Sequence, residues 1–242
     1  MDIFYKKYIE KIIIIFKKEF RSYFNSLIAY IVLVVFLLIT GYFFAVPLFI
    51  INQATLRHLV NLLPLMFLFF IPAITMRLFS EEIKVGTIEI LLTQPVNDYE
   101  ILIGKYIAGV VFISVGILAT FFYPITLIFI GKLDIGQTIA QYIGLFFLII
   151  MFSSIGIFGS ILTKNQIVAF IISFVICFAF FIIGKLNMLV PPVFVKLVDF
   201  IGIDSHFENI TRGVIDTRDI IYFLSIAGLF LISTLAIFRS RK

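Results

Sequence analysis

The stretch FSEEIKVGTIEILLTQPVNDYEILIGKY, residues 79–106, is a charged segment between two long apolar runs. The chain as a whole is 62% hydrophobic and only 14% charged, with a mean hydropathy of +1.18. Soluble domains are about half apolar, so this composition indicates a protein that crosses a membrane several times. The alternation of apolar runs with charged connections therefore decides the fold, and residues 79–106 are the connection that most needs an explanation.

Apolar runs outside this segment are long enough to cross the roughly 30 Å hydrocarbon core of a bilayer as helices. They occupy residues 27–51, 59–79, 107–130, 138–162, 167–184 and 220–238. The sequence thus predicts an all-α, polytopic membrane protein with six transmembrane helices, forming a single domain over residues 1–242. An even number of spans puts both termini on the same side of the membrane.

The distribution of Lys and Arg predicts the orientation of these spans. Cytoplasmic loops of membrane proteins are enriched in both residues. If the N-terminus is cytoplasmic, the cytoplasmic segments of this chain hold about twice as many Lys and Arg residues as the external segments. We therefore expect both termini and the charged segment at residues 80–105 to be cytoplasmic. Residues 185–219 then form an external loop, in which PVFVKLVDFI (192–201) is apolar enough to lie on the outer membrane surface as a short helix.

Residues 1–26 have the pattern of an amphipathic helix. At about 100° per residue, one arc is basic and the opposite arc is aromatic and aliphatic, as in a helix that lies among lipid headgroups. Ile14 and Glu19 depart from this pattern, and a disordered basic tail is the alternative. The basic arc consists of Lys6, Lys7, Glu10, Lys11, Lys17, Lys18 and Arg21.

Motifs for nucleotide binding are missing from the sequence. Gly-Lys pairs at residues 104–105, 131–132 and 184–185 lack both the following Ser or Thr and the upstream Gly of a phosphate-binding loop. The cations are spread along the chain rather than gathered in a block, which argues against a nucleic-acid partner. We expect this chain to bind no ATP itself.

Residues suited to catalysis or metal binding are also poorly arranged. We predict that His58 and His206 are surface residues, since neither is spaced with a second metal ligand. Ser205, His206 and Glu208 are too close in sequence to form a useful triad. The one cysteine, Cys177, lies in an apolar run and is predicted to be buried. We therefore predict no catalytic residue, no cofactor and no metal in this chain.

Ionisable side chains are absent from the last four apolar runs. Ion-coupled carriers need a carboxylate or histidine near the bilayer midplane, and many channels line their pores with charge. A stand-alone carrier or channel is therefore disfavoured, and the energy for any transport has to come from a partner.

The charged segment itself predicts two helices separated by a break. Ser80 is suited to cap the first helix, and Pro95 to end it. Asn97 and Glu100 have the spacing of a capping box, which begins the helix leading into the third span. Such an arrangement could transmit a push from a soluble partner, although a plain polar connection on the membrane surface is the alternative.

These residues carry a resemblance to a known family. The segment PAITMRLFSEEIKVGTIEILLTQPVNDYEILIGKY (72–106) resembles ABC-2 type transporter permeases, in particular the branch with the gliding-motility-associated permease and the nitrous-oxide-reductase maturation permease. FKKEFRSYFNSLIAYI (16–31), GSILTKNQIVAF (159–170) and SHFENITRGVIDTRDIIYFL (205–224) agree with that branch. Leu27 departs from it, because the family commonly has proline there.

The resemblance implies an ABC-2 permease fold in which residues 81–93 form a coupling helix. That helix docks on a separately encoded ABC ATPase subunit, which binds ATP and magnesium. A second permease copy or a paralogous permease completes the assembly in the cytoplasmic (inner) membrane of a bacterium or archaeon. The candidate contacts with the ATPase are Glu81, Glu82, Lys84, Gly86, Thr87 and Glu89.

Two functions are compatible with this resemblance. The first is an ATP-driven exporter, whose spans alternate between inward- and outward-facing arrangements. The second is a membrane scaffold that transports nothing and anchors an ATPase to an external motility or maturation machine. In either case Gly156, Gly159 and Ser160 form a small-residue face suited to close helix packing, within one subunit or across a dimer.

Overall fold

A computed structural model describes residues 2–50, 55–93, 96–131, 133–186 and 191–241, and these are helical with no strand among them. The predicted all-α fold is thereby confirmed. Numbered in chain order, the helices are α1 (Asp2–Phe24), α2 (Leu27–Ile50), α3 (Arg57–Thr75), α4 (Arg77–Val85), α5 (Thr87–Thr93), α6 (Asp98–Ala119), α7 (Phe122–Ile130), α8 (Ile135–Leu162), α9 (Gln166–Lys185), α10 (Pro192–Ile201), α11 (Ile203–Thr211) and α12 (Thr217–Ser240).

Six segments of the described chain are long and apolar enough to cross a membrane, as predicted. Two of them join consecutive helices: Arg57–Val85 has 29 residues and Asp98–Ile130 has 33. A helix rises 1.5 Å per residue, so each is roughly 40–50 Å long and extends beyond a hydrocarbon core of about 30 Å. Much of the charged connection is therefore a continuation of span helices. The remaining spans are α2, α8, α9 and α12.

Helix α8 is the centre of the bundle. It packs against α3, α4, α6, α9, α11 and α12, and its Leu148, Phe152 and Ile155 are completely buried. Cys177 on α9 is buried as well, as predicted. By contrast, α2 exposes large apolar side chains such as Leu27 and Phe49, which suits a helix surrounded by lipid.

Several spans begin at capped positions that fix where the chain turns. The side chains of Asp134, Asn165 and Asp216 each accept a hydrogen bond from a backbone N–H at 2.9–3.0 Å, at the starts of α8, α9 and α12. Such caps satisfy donors that the first helical turn leaves unpaired.

Helix α1 lies along α6. A Cβ atom at Gly104 would come within 2.8 Å of the Ile15 side chain and 3.2 Å of the Ile12 carbonyl oxygen, so only glycine permits this approach. At the end of α1, Tyr23 is buried and its ring stacks on Phe112 at 4.7 Å. Burial raises the pKa of the Tyr23 hydroxyl, and the nearby Arg77 opposes that rise. One face of α1 therefore contacts protein, and its place among lipid headgroups stays a prediction.

The predicted external loop contains two helices, α10 and α11, in its described part. Residues 187–190 lie outside the described residues. Helix α10 covers the predicted segment PVFVKLVDFI. Helix α11 packs on α8, α9 and α12 through buried Ile203, Phe207 and Ile210.

The prediction of a surface position is wrong for His206, whose side chain is only 14% exposed. Its ring stacks on Tyr222 at 4.0 Å, and its Nδ1 lies 2.6 Å from Asp219 Oδ1. The packing of α11 across the start of α12 covers most of this side chain. His58 is exposed, as predicted.

Candidate functional site

Helices α4 and α5, residues 77–93, form a bent segment at one end of the bundle, which we call the elbow. Helix α4 follows α3 with only Met76 between them, and α5 begins after Gly86. Gly86 has a φ of +80°, a left-handed conformation that favours glycine. The chain therefore bends at Gly86, and the prediction of a single helix over residues 81–93 is wrong, because these residues are divided between α4 and α5.

The prediction that Ser80 caps a new helix is wrong, because α4 begins three residues earlier and Ser80 lies within it. The Ser80 hydroxyl instead donates a hydrogen bond to the Met76 carbonyl oxygen at 2.5 Å. The apolar packing of Leu78 and Phe79, both buried, continues the helical path of the span through this point. The predicted helix end at Pro95 lies outside the described residues.

Lys105 on α6 is an almost completely buried ammonium at the base of the elbow. Its Nζ donates to Glu82 Oε1 at 2.8 Å, to Glu19 Oε1 at 2.9 Å and to the Leu78 carbonyl oxygen at 2.9 Å. An ammonium has three donors, so all of them are satisfied. One cation thus connects α1, α4 and α6.

Glu82 keeps one unpaired oxygen in this cluster. Its Oε2 is buried and has no hydrogen-bond partner among the described residues. Glu19 has a second cation beside it, since Lys18 Nζ lies 3.8 Å from its Oε1. The inner side of the elbow therefore keeps one carboxylate oxygen without a hydrogen bond among the described residues.

A second charged contact holds α1 at the start of α6. The capping box of Asn97 and Glu100 is present, as predicted, and the Asn97 backbone N–H donates to Glu100 Oε2 at 2.9 Å. Lys11 Nζ lies 3.6 Å from the same oxygen. The Asn97 side-chain amide also contacts the Tyr8 hydroxyl. Cap and ion pair together fix α1 along the first turns of α6.

Ser160 on α8 joins the elbow to the centre of the bundle. Its hydroxyl accepts hydrogen bonds from the backbone N–H groups of Phe79 at 2.8 Å and Ser80 at 3.1 Å, and it donates to the Met76 carbonyl oxygen at 2.9 Å. The start of α4 is therefore bonded directly to α8.

The other two residues of the small-residue face also contact helices of the same chain. A Cβ at Gly156 would lie 1.9 Å from Thr75 Oγ1, and one at Gly159 would lie 2.1 Å from Ser173 Oγ. Gly156, Gly159 and Ser160 are all buried in the single chain. Their described contacts are with α3, α4 and α9.

The predicted contact residues differ in exposure. Glu82 points inward to Lys105 and is the exception. The outward-facing ones, all exposed, are Glu81, Lys84, Gly86, Thr87 and Glu89. Ile88 on α5 is buried, whereas Thr87 and Glu89 are exposed, so α5 has one side that packs on protein and one that faces outward. The elbow therefore offers a continuous polar surface around the bend.

A polar cleft of about 390 Å³ opens between α1, the elbow and α6. Side chains of both charges line it, so it suits a polar segment of a protein better than an apolar ligand. The lining includes Lys18, Glu19, Ser22, Arg77, Glu81, Glu82, Thr87 and Lys105.

Local sequence does not show that Lys105 and Glu19 belong to one site. Lys105 stands in a Gly-Lys pair without the other features of a phosphate-binding loop, and its neighbour Gly104 makes room for α1. The available signal was Glu19, which breaks the pattern of the predicted helix in residues 1–26. An acid out of place on an amphipathic helix indicates a contact with protein rather than lipid.

Six apolar spans and a polar elbow anchored by buried ions define an integral membrane protein with an exposed polar surface at one end. The family model described as ABC-2 family transporter protein matches residues 13–238, and the chain belongs to this family. Membership makes it the membrane subunit of a transporter and implies an ABC ATPase partner. No curated protein matches the sequence significantly.

Proposed function

We propose that this chain is the permease subunit of an ATP-driven exporter and that its elbow docks on a separately encoded ATPase subunit. The observation that carries the proposal is the exposed bend at Gly86 next to the buried Lys105 cluster. A surface that receives force has to be accessible, and it has to be joined rigidly to the elements that it moves. The elbow meets both requirements.

Force applied to α5 would pass into the spans by two routes. The first is direct, because α4 is continuous with the span helix Arg57–Val85. The second runs through polar contacts, from Glu82 to Lys105 on α6 and from the start of α4 to Ser160 on α8. Closure of the ATPase subunits around ATP would thus tilt several spans together and switch them between inward- and outward-facing arrangements.

The candidate contacts take two roles in this proposal. Glu81, Lys84, Thr87 and Glu89 face outward and would touch the ATPase, with Gly86 supplying the bend. Glu82 would act as a positioning residue, since its carboxylate is engaged by Lys105.

The assembly would contain two permeases, as identical copies or with a paralogue, and ATPase subunits that bind ATP and magnesium. Both termini and the elbow would lie in the cytoplasm of a bacterium or archaeon, as the excess of Lys and Arg at that end favours. The motif resemblance favours the branch of the gliding-motility-associated and nitrous-oxide-reductase maturation permeases.

Co-purification with the separately encoded ATPase subunit, expressed together with this chain, tests the docking. Glu89→Arg should reduce the recovered complex about tenfold, as expected for a lost charge-assisted contact at an interface. Arg218→Glu is the matched control, because it reverses an exposed charge at the other end of the bundle and should change nothing. A cysteine at Thr87 should also crosslink to the ATPase. Full recovery with Glu89→Arg, together with no crosslink from Thr87→Cys, would refute the docking.

Transport is tested separately with the intact complex in vesicles. Lipids, glycans and small hydrophobic compounds are added in turn, and ATP turnover is measured. Stimulation by one of these classes supports an exporter. A stable complex whose ATP turnover responds to none of them supports the scaffold instead.

A further inference from the structure

A row of side chains on α3 changes from polar to apolar along one face. Arg57, Asn61, Leu65 and Phe69 are spaced four residues apart and therefore share a side of the helix. All four are exposed, with Leu65 at 40% and Phe69 at 50%. The polar pair lies at the end of the bundle far from the elbow, and the apolar pair lies toward its middle.

Helix α9 carries a second row of side chains, which also changes from polar at the far end to apolar toward the middle of the bundle. Lys185 is at the far end, with its Nζ 5.5 Å from the centre of the Phe181 ring. Phe178 and Phe174 follow toward the middle, with their rings stacked at 5.7 Å. The two rows lie side by side, since the rings of Phe69 and Phe174 are 4.9 Å apart. Together they form a surface that is cationic at the far end and aromatic below it.

A polar cleft of about 230 Å³ lies where both rows reach the far end. Arg57, Asn61 and Lys185 contribute hydrogen-bond donors to its lining, and Asp204 and Glu208 of α11 contribute acceptors. Lys185 is paired with Asp204 at 2.7 Å. The Arg57 guanidinium has no carboxylate within ion-pair distance among the described residues. Glu208 is paired with Arg212 at 2.5 Å, but both side chains are more than half exposed, so water screens this pair. The cleft thus presents the Arg57 cation together with a carboxylate whose present ion pair can be exchanged at little cost.

We propose that this surface binds a zwitterionic phospholipid from the leaflet on the far side from the elbow. The phosphate would lie at Arg57 and Asn61, where a guanidinium and an amide can both donate to it. The headgroup amine would face Glu208, and an acyl chain would run along Leu65 and Phe69. The cleft has the size of a headgroup. A water-soluble ligand has no acyl chain to contact the apolar rows below the cleft, whereas a phospholipid does. The proposal does not depend on ATP-driven export.

Lipid retention by the purified full-length chain tests this site. The protein is reconstituted in bilayers of phosphatidylethanolamine and phosphatidylglycerol in equal parts, extracted with detergent, and weighed intact by native mass spectrometry. The wild type should keep phosphatidylethanolamine in preference to phosphatidylglycerol. Arg57→Gln combined with Lys185→Gln should lower that retention about tenfold, as expected when charge-assisted contacts are lost. Arg218→Gln, which removes an exposed cation at the same end but outside the cleft, should retain lipid like the wild type.

A photoreactive amino acid at Leu65 gives a second measurement that needs no loss of binding. A phospholipid adduct on the peptide containing residue 65 supports the proposal. A crosslink to another copy of the chain overturns it, because the rows would then be covered by protein. Equal retention of the two lipids, or displacement of the bound lipid by free glycerophosphoethanolamine, also overturns it, since the site would then not recognise a zwitterionic lipid as a whole.

Discussion

The two ends of the helix bundle each hold a lysine-carboxylate pair at nearly the same distance. Lys105 Nζ lies 2.8 Å from Glu82 at the elbow, and Lys185 Nζ lies 2.7 Å from Asp204 at the far end. The surroundings differ greatly: the first lysine side chain is 1% exposed and the second is 59% exposed. Distance alone therefore says little about what either pair does.

The difference in burial changes the free-energy cost of separating each pair. A buried ion that loses its partner keeps its full desolvation cost, so the cluster resists separation of the helices that it joins. An exposed pair is screened by water, and its members can exchange partners at little cost. The elbow end is thus suited to rigid transmission, and the far end to reversible binding of a polar group.

Removing the buried cation should have the largest effect. Lys105→Met leaves Glu19 and Glu82 without their shared partner, and we expect a loss of about 3–5 kcal/mol in the free energy of unfolding. The measurement is the thermal unfolding of the purified full-length chain in detergent. Adding Glu19→Gln and Glu82→Gln to Lys105→Met should restore part of the stability. Unchanged unfolding of the single variant would mean that the cluster does not hold the elbow.

Filling the close contact between α8 and α3 should have an intermediate effect. Gly156→Ala introduces a Cβ that would lie 1.9 Å from Thr75 Oγ1, and overpacking of this kind costs about 1–3 kcal/mol. Gly228→Ala is the matched control, because a Cβ there meets no described atom within 4 Å. Alanine favours helix over glycine, so the control should be neutral or slightly stabilising. Equal unfolding temperatures for both variants would contradict the tight packing beside the elbow.

Breaking the exposed pair should have the smallest effect. Lys185→Gln removes the contact with Asp204, and we expect a loss below about 1 kcal/mol in lipid-free detergent. The same thermal unfolding measurement applies. A loss as large as that of Lys105→Met would abolish the contrast between the two ends of the bundle.

Much of the fold could be predicted from local patterns. Runs of apolar residues long enough to cross a bilayer indicated the six spans, since hydrocarbon excludes unpaired backbone groups and favours helices. The capping box of Asn97 and Glu100 was predicted from its spacing alone, because both partners are three residues apart. The polar, helix-forming character of residues 79–106 was likewise visible in the sequence.

Contacts between distant residues could not be predicted in this way. Ser80 has the properties of a helix cap, but it is buried beside Leu78 and Phe79 within α4 and caps no helix. His206 looked like a surface residue because nothing near it in sequence shows that Asp219 and Tyr222 enclose it. At both positions, tertiary packing rather than local sequence preference determines the environment of the side chain.

The sequence by itself determined the class of protein, the number of spans and the position of the charged connection, because each follows from composition and short-range periodicity. Only the tertiary structure decided which charges are buried and which are free. Glu19, Glu82 and Lys105 come from three separate helices, and they meet because α1 lies against α6 at Gly104. The free energy of a charge depends on its solvation, and solvation is a property of the packed bundle rather than of the residue.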